Sequence, residues 1–301
     1  MGKRARLAKV AGVAAGLAVG VAAGACALVA PRRGDAGVDK QWSELSRYRY
    51  AHRGLHDNRT PAPENSLAAF RLAREWGYGS ELDVHLTADG QLVVIHDSDT
   101  TRACGVEGVV EEMTLADIAD LRLFGTQEGV PTFSQVLEAY ESGEGTCPPL
   151  VVEVKTHEGN YAQLTAAVMD ELDRHAVPYC VESFDPRVLW WLRRHRPEVV
   201  RGQLSENFPL DGNSSLGRVQ GILHAALVHD VMGRPDFVAY RHEHRNHPSV
   251  RLACGVLGCH LVTWTVKTPQ QLDEVESAGG VAIFEGFQPG PLKATDDAAS
   301  L

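Results

Sequence analysis

The chain has 301 residues, of which 44% are hydrophobic and 23% charged, a composition typical of a globular protein with a hydrophobic core. Its formal net charge is −10. Residues 1–40 hold seven Lys or Arg and two Asp, a net charge of +5, which leaves −15 for the remainder. Nucleic-acid binding requires basic patches, so the acidic remainder of the chain argues against that function. An acidic domain is compatible with a divalent-cation site.

The N-terminus contains a predicted membrane segment. Residues 10–30 carry no charge and, at about 1.5 Å per residue, are long enough to span a hydrocarbon core of roughly 30 Å. The basic residues of segment 1–9 outnumber those just after the span, which predicts that the N-terminus stays inside. We therefore expect a basic flank (1–9), an uncleaved transmembrane signal anchor (10–30) and a linker (31–45). The chain would be single-pass in the cell membrane, with its main domain extracytoplasmic.

Two features of this segment leave alternatives open. The sequence AGAC at 23–26 weakly resembles a lipoprotein cleavage site, at which the segment would be removed. A smooth helix face suited to a homodimer contact is formed by glycines at every fourth position, Gly12, Gly16, Gly20 and Gly24. An Ala/Gly-rich composition also produces this spacing by chance, and we favour that interpretation slightly.

Strand-like and helix-like segments alternate in residues 46–292, before a short tail at 293–301. The strand-like runs are YRYAHR (48–53), SELDVHL (80–86), LVVEVK (150–155), YCVESF (179–184), VRGQLS (200–205), DFVAYRH (236–242), LVTWTVK (261–267) and VAIFEG (281–286). A further run, QLVVIHD (91–97), is assigned to an insertion. Eight strand–helix units in about 250 residues predict an α/β fold with a closed (β/α)8 barrel. An open doubly wound sheet is the alternative, although no Gly-rich phosphate loop follows the first strand.

Helices are predicted between these strands. They cover residues 64–77, 161–175, 185–195, 216–228, 248–257 and 268–279, and two more, 114–124 and 132–140, lie in the insertion.

Polar residues stand at the carboxyl ends of the first three strands, where a barrel builds its active site. Glu81 and Asp83 share one face of the second strand, and Glu153 ends the third. Carboxylates in apolar strands are unfavourable unless they are paired or bind a cation. These three offer oxygen ligands suited to Mg²⁺ or Ca²⁺. Buried salt bridges with Arg53 and Lys155 are the alternative explanation.

Six short motifs occur in an order and spacing typical of one known family. They are HRG (52–54), PEN (63–65), ELD (81–83), the run from DG (89–90) to HD (96–97), EVK (153–155) and WTV (264–266). Through these motifs, residues 47–291 resemble the glycerophosphodiester phosphodiesterases. The resemblance implies a TIM barrel with a helical insertion between the second and third strands, and residues 86–147 fit that insertion.

The resemblance also implies an activity and a cofactor. The reaction is hydrolysis of a small-molecule glycerophosphodiester to sn-glycerol 3-phosphate and an alcohol, in glycerophospholipid metabolism. One divalent cation, Mg²⁺ or Ca²⁺, would be held by Glu81, Asp83 and Glu153.

The remaining site residues follow from the same motifs. His52 and His96 would be the general base and general acid, in an order that the sequence does not decide. Arg53 and Lys155 would bind the phosphate. Trp264 would either pack against the glycerol carbons or belong to the core, with equal weight.

Residues beside the motifs have narrower expected roles. Glu64 and Asn65 either face the site or belong to the start of the first barrel helix, and we favour Asn65 as its N-cap. His85 is expected to be structural. Asp97 either orients His96 or starts a turn. Two departures from the family pattern leave substrate specificity open: residues 284–286 (FEG) replace the usual Thr-Asp pair, and Lys267 replaces Asn.

Two other functions remain as alternatives. A phospholipase D-like hydrolase of intact lipids would need an apolar entry rim, for which Phe124, Phe184 and Phe208 are the candidates. A membrane-tethered binding protein that has lost catalysis would lack at least one of the expected catalytic or metal-binding residues, and none is missing.

Overall fold

The computed structural model describes residues 31, 35–143, 145–208 and 218–290. Nine strands form a single sheet: β1 Tyr50–Ala51, β2 Gly79–Leu86, β3 Leu92–Val94, β4 Leu150–Val154, β5 Tyr179–Ser183, β6 Arg201–Ser205, β7 Phe237–Arg241, β8 His260–Val266 and β9 Val281–Phe284. Every strand except β3 pairs in parallel with its neighbours, and β1 pairs with both β2 and β9. The eight parallel strands therefore close into the predicted barrel.

Most strands of the barrel are buried on both faces. All residues of β2, β4 and β6 are buried, as expected of parallel strands that are covered by helices. The helices are α1 Ala36–Leu45, α2 Leu67–Glu75, α3 Thr101–Cys104, α4 Leu115–Ala119, α5 Phe133–Glu141, α6 Tyr161–Leu172, α7 Pro186–His195, α8 Arg218–Ala225, α9 Asp230–Gly233, α10 Pro248–Val250 and α11 Pro269–Ser277. A π-helix, Arg251–Val256, continues α10.

An insertion lies between β2 and β4, at the expected place. It contains β3, which pairs antiparallel with β2, and helices α3, α4 and α5. The helix predicted at 114–124 is shorter than expected. A capping box starts α4 at Thr114, but the helix ends at Ala119, and Phe124 lies in a short 3₁₀ turn with a left-handed backbone (φ 51°).

Residues 36–45, expected to be part of a linker, instead form α1 and pack on the barrel. Trp42 stacks on Phe237 and His260, with ring centroids 5.4 and 4.4 Å away. These two residues begin β7 and β8, and Gln41 donates a hydrogen bond to the carbonyl of Tyr179, which begins β5. Helix α1 therefore covers the amino ends of the strands, opposite the end that carries the predicted site.

The predicted basic flank, membrane anchor and glycine face lie outside the described residues, as does the C-terminal tail. Among the residues that the structure does describe, none of the helices has both the length and the apolar character needed to cross a bilayer.

Candidate active site

Three carboxylates meet at the carboxyl ends of β2 and β4. Asp83 and Glu153 are register partners on these neighbouring strands, and Glu81 lies two residues before Asp83 on the same face. All three side chains are buried, and their ligand oxygens lie within 4.8 Å of one another. This is the predicted oxygen cluster.

Two cations lie against the carboxylates. Lys155, directly after β4, places Nζ 3.0 Å from Asp83 Oδ1 and 2.9 Å from Glu153 Oε1. Arg53, after β1, places Nε 3.5 Å from Asp83 Oδ2, and its backbone N–H donates to Glu81 Oε2 at 3.0 Å. The salt bridges that the sequence suggested as an alternative are therefore present within the same cluster.

The two positively charged side chains do not affect the pKa values of all the cluster carboxylates equally. Burial raises the pKa of Glu81 well above its usual value, and the nearby charges of Asp83 and Glu153 raise it further. Burial opposes ionisation of Asp83 as well, but Lys155, His96 and Arg53 hold its pKa well below the usual value. Closely spaced buried carboxylates repel one another and offer only oxygen atoms as ligands. Hard divalent cations prefer such ligands and would neutralise their charge. The residues present fit such a cation.

A fourth carboxylate adjoins the cluster and was missed from the sequence. Glu182 on β5 is the register partner of Glu153 and is 1% exposed. Burial, and then the charge of Glu153, raise its pKa well above the usual value. Its Oε2 has no hydrogen-bond partner among the described residues. The available signal was a lone carboxylate in an apolar strand, which becomes informative only once the register beside Glu153 is known.

His52 follows β1 and is paired with a carboxylate from the last strand. Its Nδ1 lies 2.7 Å from Oε2 of Glu285, which follows β9, and its Nε2 lies 3.9 Å from Glu81 Oε2. Burial lowers the pKa of His52 to about 4 although the bond to Glu285 opposes this. The ring is therefore neutral at neutral pH, with the proton assigned to Nδ1 and Nε2 free to accept. Glu285 stood in the sequence only as a departure from the family pattern, and its contact with His52 was missed.

His96 follows β3 and is held by residues of the insertion. Its Nδ1 lies 2.6 Å from Asp97 Oδ1, so Asp97 orients the imidazole. Arg102 on α3 binds the other oxygen of Asp97 and also Glu64 Oε1, at 2.7 Å. Glu64 in turn accepts a hydrogen bond from Arg53 at 3.0 Å. One network of ion pairs therefore connects Arg53, the predicted phosphate ligand, with His96, one of the two predicted catalytic histidines.

The prediction that Asn65 caps the first barrel helix is wrong. Asn65 has a left-handed backbone (φ 57°), and its side-chain amide donates to Asp83 Oδ2 at 2.9 Å. Ser66 caps α2 instead, accepting from the amide of Ala69. The amide of Asn65 stabilises the ionised form of a cluster carboxylate, which a local capping preference does not reveal. His85 is structural as expected, bonded to Glu111 and to the carbonyl of His96.

Trp264 lies on the opposite side of the same cleft. The cleft has a volume of about 1550 Å³, and the site residues that line it are His52, Arg53, Glu64, Glu81, His96, Glu153, Lys155, Glu182, Trp264 and Glu285. The Trp264 ring meets Phe184 edge to face, with centroids 5.8 Å apart, and also packs against buried core residues. Trp264 therefore lines the cleft and also packs on the core, and its contact with the glycerol carbons stays a prediction.

Comparison with known proteins places the whole barrel in one family. The model of the Glycerophosphoryl diester phosphodiesterase family matches residues 52–286. A glycerophosphodiester phosphodiesterase of Caldanaerobacter subterraneus is 46% identical over 95 residues, which are 29% of this chain but only 38% of that protein. Glycerophosphodiester phosphodiesterase 1 of Rattus norvegicus is 26% identical over 261 residues, covering 75% of this chain and 74% of that protein.

Solved structures share the fold. An Oleispira antarctica phosphodiesterase, determined in complex with the product sn-glycerol-3-phosphate, superposes with a TM-score of 0.64 at 24% identity, over 81% of this chain and 94% of that one. A glycerophosphodiester phosphodiesterase of Parabacteroides distasonis gives a TM-score of 0.60 at 26% identity, over 79% and 91%. The chain therefore belongs to the glycerophosphoryl diester phosphodiesterase family and is an enzyme of that family.

Proposed function

We propose that the chain hydrolyses glycerophosphodiesters to sn-glycerol 3-phosphate and an alcohol, with a divalent cation held by Glu81, Asp83 and Glu153. The observation that carries the proposal is a cluster at one end of the barrel. There the buried carboxylates meet the positively charged side chains of Arg53 and Lys155 and two imidazoles that are each bonded to a carboxylate. Every residue that the proposed chemistry requires is present, which argues against a binding protein that has lost catalysis.

The proposed cofactor is Mg²⁺ or Ca²⁺. Held by Glu81, Asp83 and Glu153, such an ion would supply charge at a phosphoryl oxygen and would favour ionisation of a nearby water. The side chains of Arg53 and Lys155 bind the phosphate anion, and the planar guanidinium of Arg53 donates two parallel hydrogen bonds. Lys155, Arg53 and the amide of Asn65 favour the ionised form of Asp83, and Asn65 also holds it in place.

The two histidines carry the proton transfers. We assign His52 as the general base because its neutral ring has Nε2 free to accept, while Glu285 binds Nδ1. It takes a proton from the attacking water, whose oxygen forms the new bond to phosphorus. His96, oriented by Asp97, donates a proton to the alcohol oxygen as the phosphorus–alcohol bond breaks.

The test is product analysis with the full chain. Glycerophosphocholine and glycerophosphoethanolamine are incubated with Mg²⁺ or Ca²⁺, and the expected products are sn-glycerol 3-phosphate with choline or ethanolamine. The control is His52→Ala, which is expected to release almost none. If both substrates stay intact with both ions, the proposed function is wrong.

We also propose that residues 10–30 anchor the chain in the cell membrane with the barrel on the extracytoplasmic side. The support is the uncharged span and its flanking charges. Protease added to intact cells should digest the barrel; protection of the barrel would reverse the assigned topology.

A further inference from the structure

A continuous row of aromatic rings leaves the catalytic cleft on the side away from His96. From the cleft outward the row is Trp264, Phe184, Phe208, His224 and His229. Successive ring centroids lie 5.8, 6.0, 5.9 and 4.6 Å apart. All five residues line the cleft, so the row forms one wall from the barrel strands to helices α8 and α9.

Exposed apolar side chains continue this wall at the surface. Nine large hydrophobic residues are exposed among those described, and five of them fall within residues 222–232, between 36% and 50% exposed: Ile222, Leu223, Val228, Val231 and Met232. Leu223 and Met232 also line the cleft. Grouped apolar exposure of this kind marks a binding surface more often than isolated exposed residues do.

Charges beside the aromatic row are paired with each other. Arg187 binds Asp185 at 2.7 Å, and Arg241 binds Glu206 at 2.8 Å. Burial lowers the pKa of His224, and the neighbouring His229 lowers it further, so its ring stays neutral at neutral pH. The wall therefore offers an apolar path that starts at the phosphodiester site and ends in solvent.

The cleft is larger than a small polar diester requires. Its volume of about 1550 Å³ exceeds the roughly 300–1,000 Å³ common for sites that enclose a small organic ligand. The proposed function places the phosphodiester and its hydroxyl groups near Arg53, His96 and the carboxylates. The aromatic row and the apolar side chains beyond it then remain for an apolar group of the substrate.

We propose that the substrate carries one hydrocarbon chain, as in a lysoglycerophospholipid, and that this chain lies along the aromatic row and across Leu223 and Met232. The proposal rests on the proposed function, because the same phosphodiester bond is hydrolysed by the same groups. It adds the apolar part of the substrate, which continues directly from the reacting bond.

The test compares two substrates that differ only in the acyl chain. The protein is assayed with glycerophosphocholine and with octanoyl lysophosphatidylcholine kept below its micelle concentration, and choline release is measured. Wild type is expected to have the higher kcat/KM on the lysolipid. Leu223→Ser and Met232→Ser should each reduce the ratio of lysolipid to glycerophosphocholine kcat/KM by about tenfold, through lost apolar contact with the chain.

Leu252→Ser is the matched control, since Leu252 is also an exposed leucine (43%) but does not line the cleft. It should leave both activities unchanged. The proposal is overturned if glycerophosphocholine is hydrolysed and the lysolipid is not, or if neither Leu223→Ser nor Met232→Ser changes the ratio. It is also overturned if these variants matter only for substrate presented in vesicles, because the surface would then contact a bilayer. Failure on both substrates would instead refute the proposed function.

Discussion

The two sides of the barrel mouth are built from different interactions. The side of β1, β2 and the insertion is a network of ion pairs in which Arg53, Glu64 and Arg102 link one strand end to the next. The side of β5 to β8 is a wall of rings, and the charges near it are paired locally. The first side fits chemistry at a phosphorus atom and the second fits recognition of an apolar group. Equivalent substitutions on the two sides should therefore differ greatly in effect.

The largest effect is expected from Asp83→Asn on the polar side. The pKa of Asp83 is lowered while that of Glu81 is raised, so we expect the charge of Asp83 to be central to holding the proposed cation. The kcat/KM on glycerophosphocholine should fall by about a thousandfold or more, as expected when a metal site is disabled. Glu182→Gln is the control with the same chemical change. Burial raises the pKa of Glu182 and disfavours its charged form, so the neutral amide should cost less than about threefold. Equal losses in the two variants would contradict this distinction.

His52→Ala should reduce kcat by about a hundredfold to ten thousandfold, the range for loss of a general base. A base must be unprotonated, and burial lowers the pKa of His52 to about 4. The wild-type kcat/KM should therefore hold steady as the pH falls from 7 to about 5, and drop only as the pH passes through about 4. A decline centred near pH 6.5 would show that His52 is not the base.

Glu285→Gln should lower kcat by about tenfold, because the amide no longer fixes the tautomer of His52. The bond to Glu285 raises the pKa of His52, so its loss should move the acid limb of the pH profile to lower pH. Glu285→Asp keeps the charge and should retain most of the activity. A pH profile that is unchanged in Glu285→Gln would remove this residue from its positioning role.

Arg102→Met should lower kcat on glycerophosphocholine by roughly tenfold with little change in KM, since Arg102 holds Asp97 and thereby His96. Arg187→Met is a matched control on the apolar side. Arg187 is similarly exposed, 47% against 44%, is also paired with an aspartate and also lies over an aromatic ring. It should change kcat less than about twofold. Equal losses would show that His96 does not depend on this network.

Apart from the matched controls, the smallest effect on this substrate is expected from Phe184→Leu. The change removes edge-to-face contacts with Trp264 and Phe208, each of roughly 0.5–1.5 kcal/mol, but touches none of the reacting groups. The kcat on glycerophosphocholine should fall less than about threefold. A loss as large as that of His52→Ala would end the division into a catalytic and an apolar side.

The strands could be predicted from the sequence because most of them are buried on both faces. Eight apolar runs of strand length, separated by helical patterns, define the barrel, and alternation along β2 puts Glu81 and Asp83 on one face. Helix α1 was not anticipated because Trp42 is stabilised by contacts with β7 and β8, which lie far away in sequence.

The parts of the site that were missed depend on contacts between distant strands. Glu182 gains meaning from its register with Glu153, and Glu285 from its bond to His52 across the closing strands. Asn65 follows a local capping pattern, but its left-handed backbone directs the amide to Asp83. In each case the deciding partner lies on a different part of the fold, so local sequence preferences point elsewhere.

Removal and return of the metal tests the central claim most directly. The full chain is treated with EDTA, assayed for choline release from glycerophosphocholine, and assayed again after Mg²⁺ or Ca²⁺ is added, alongside Asp83→Asn. We predict that EDTA abolishes wild-type hydrolysis, that one of the two ions restores it, and that neither ion restores activity to the variant. Full wild-type activity in EDTA, or full recovery of Asp83→Asn, would contradict the proposed cation site.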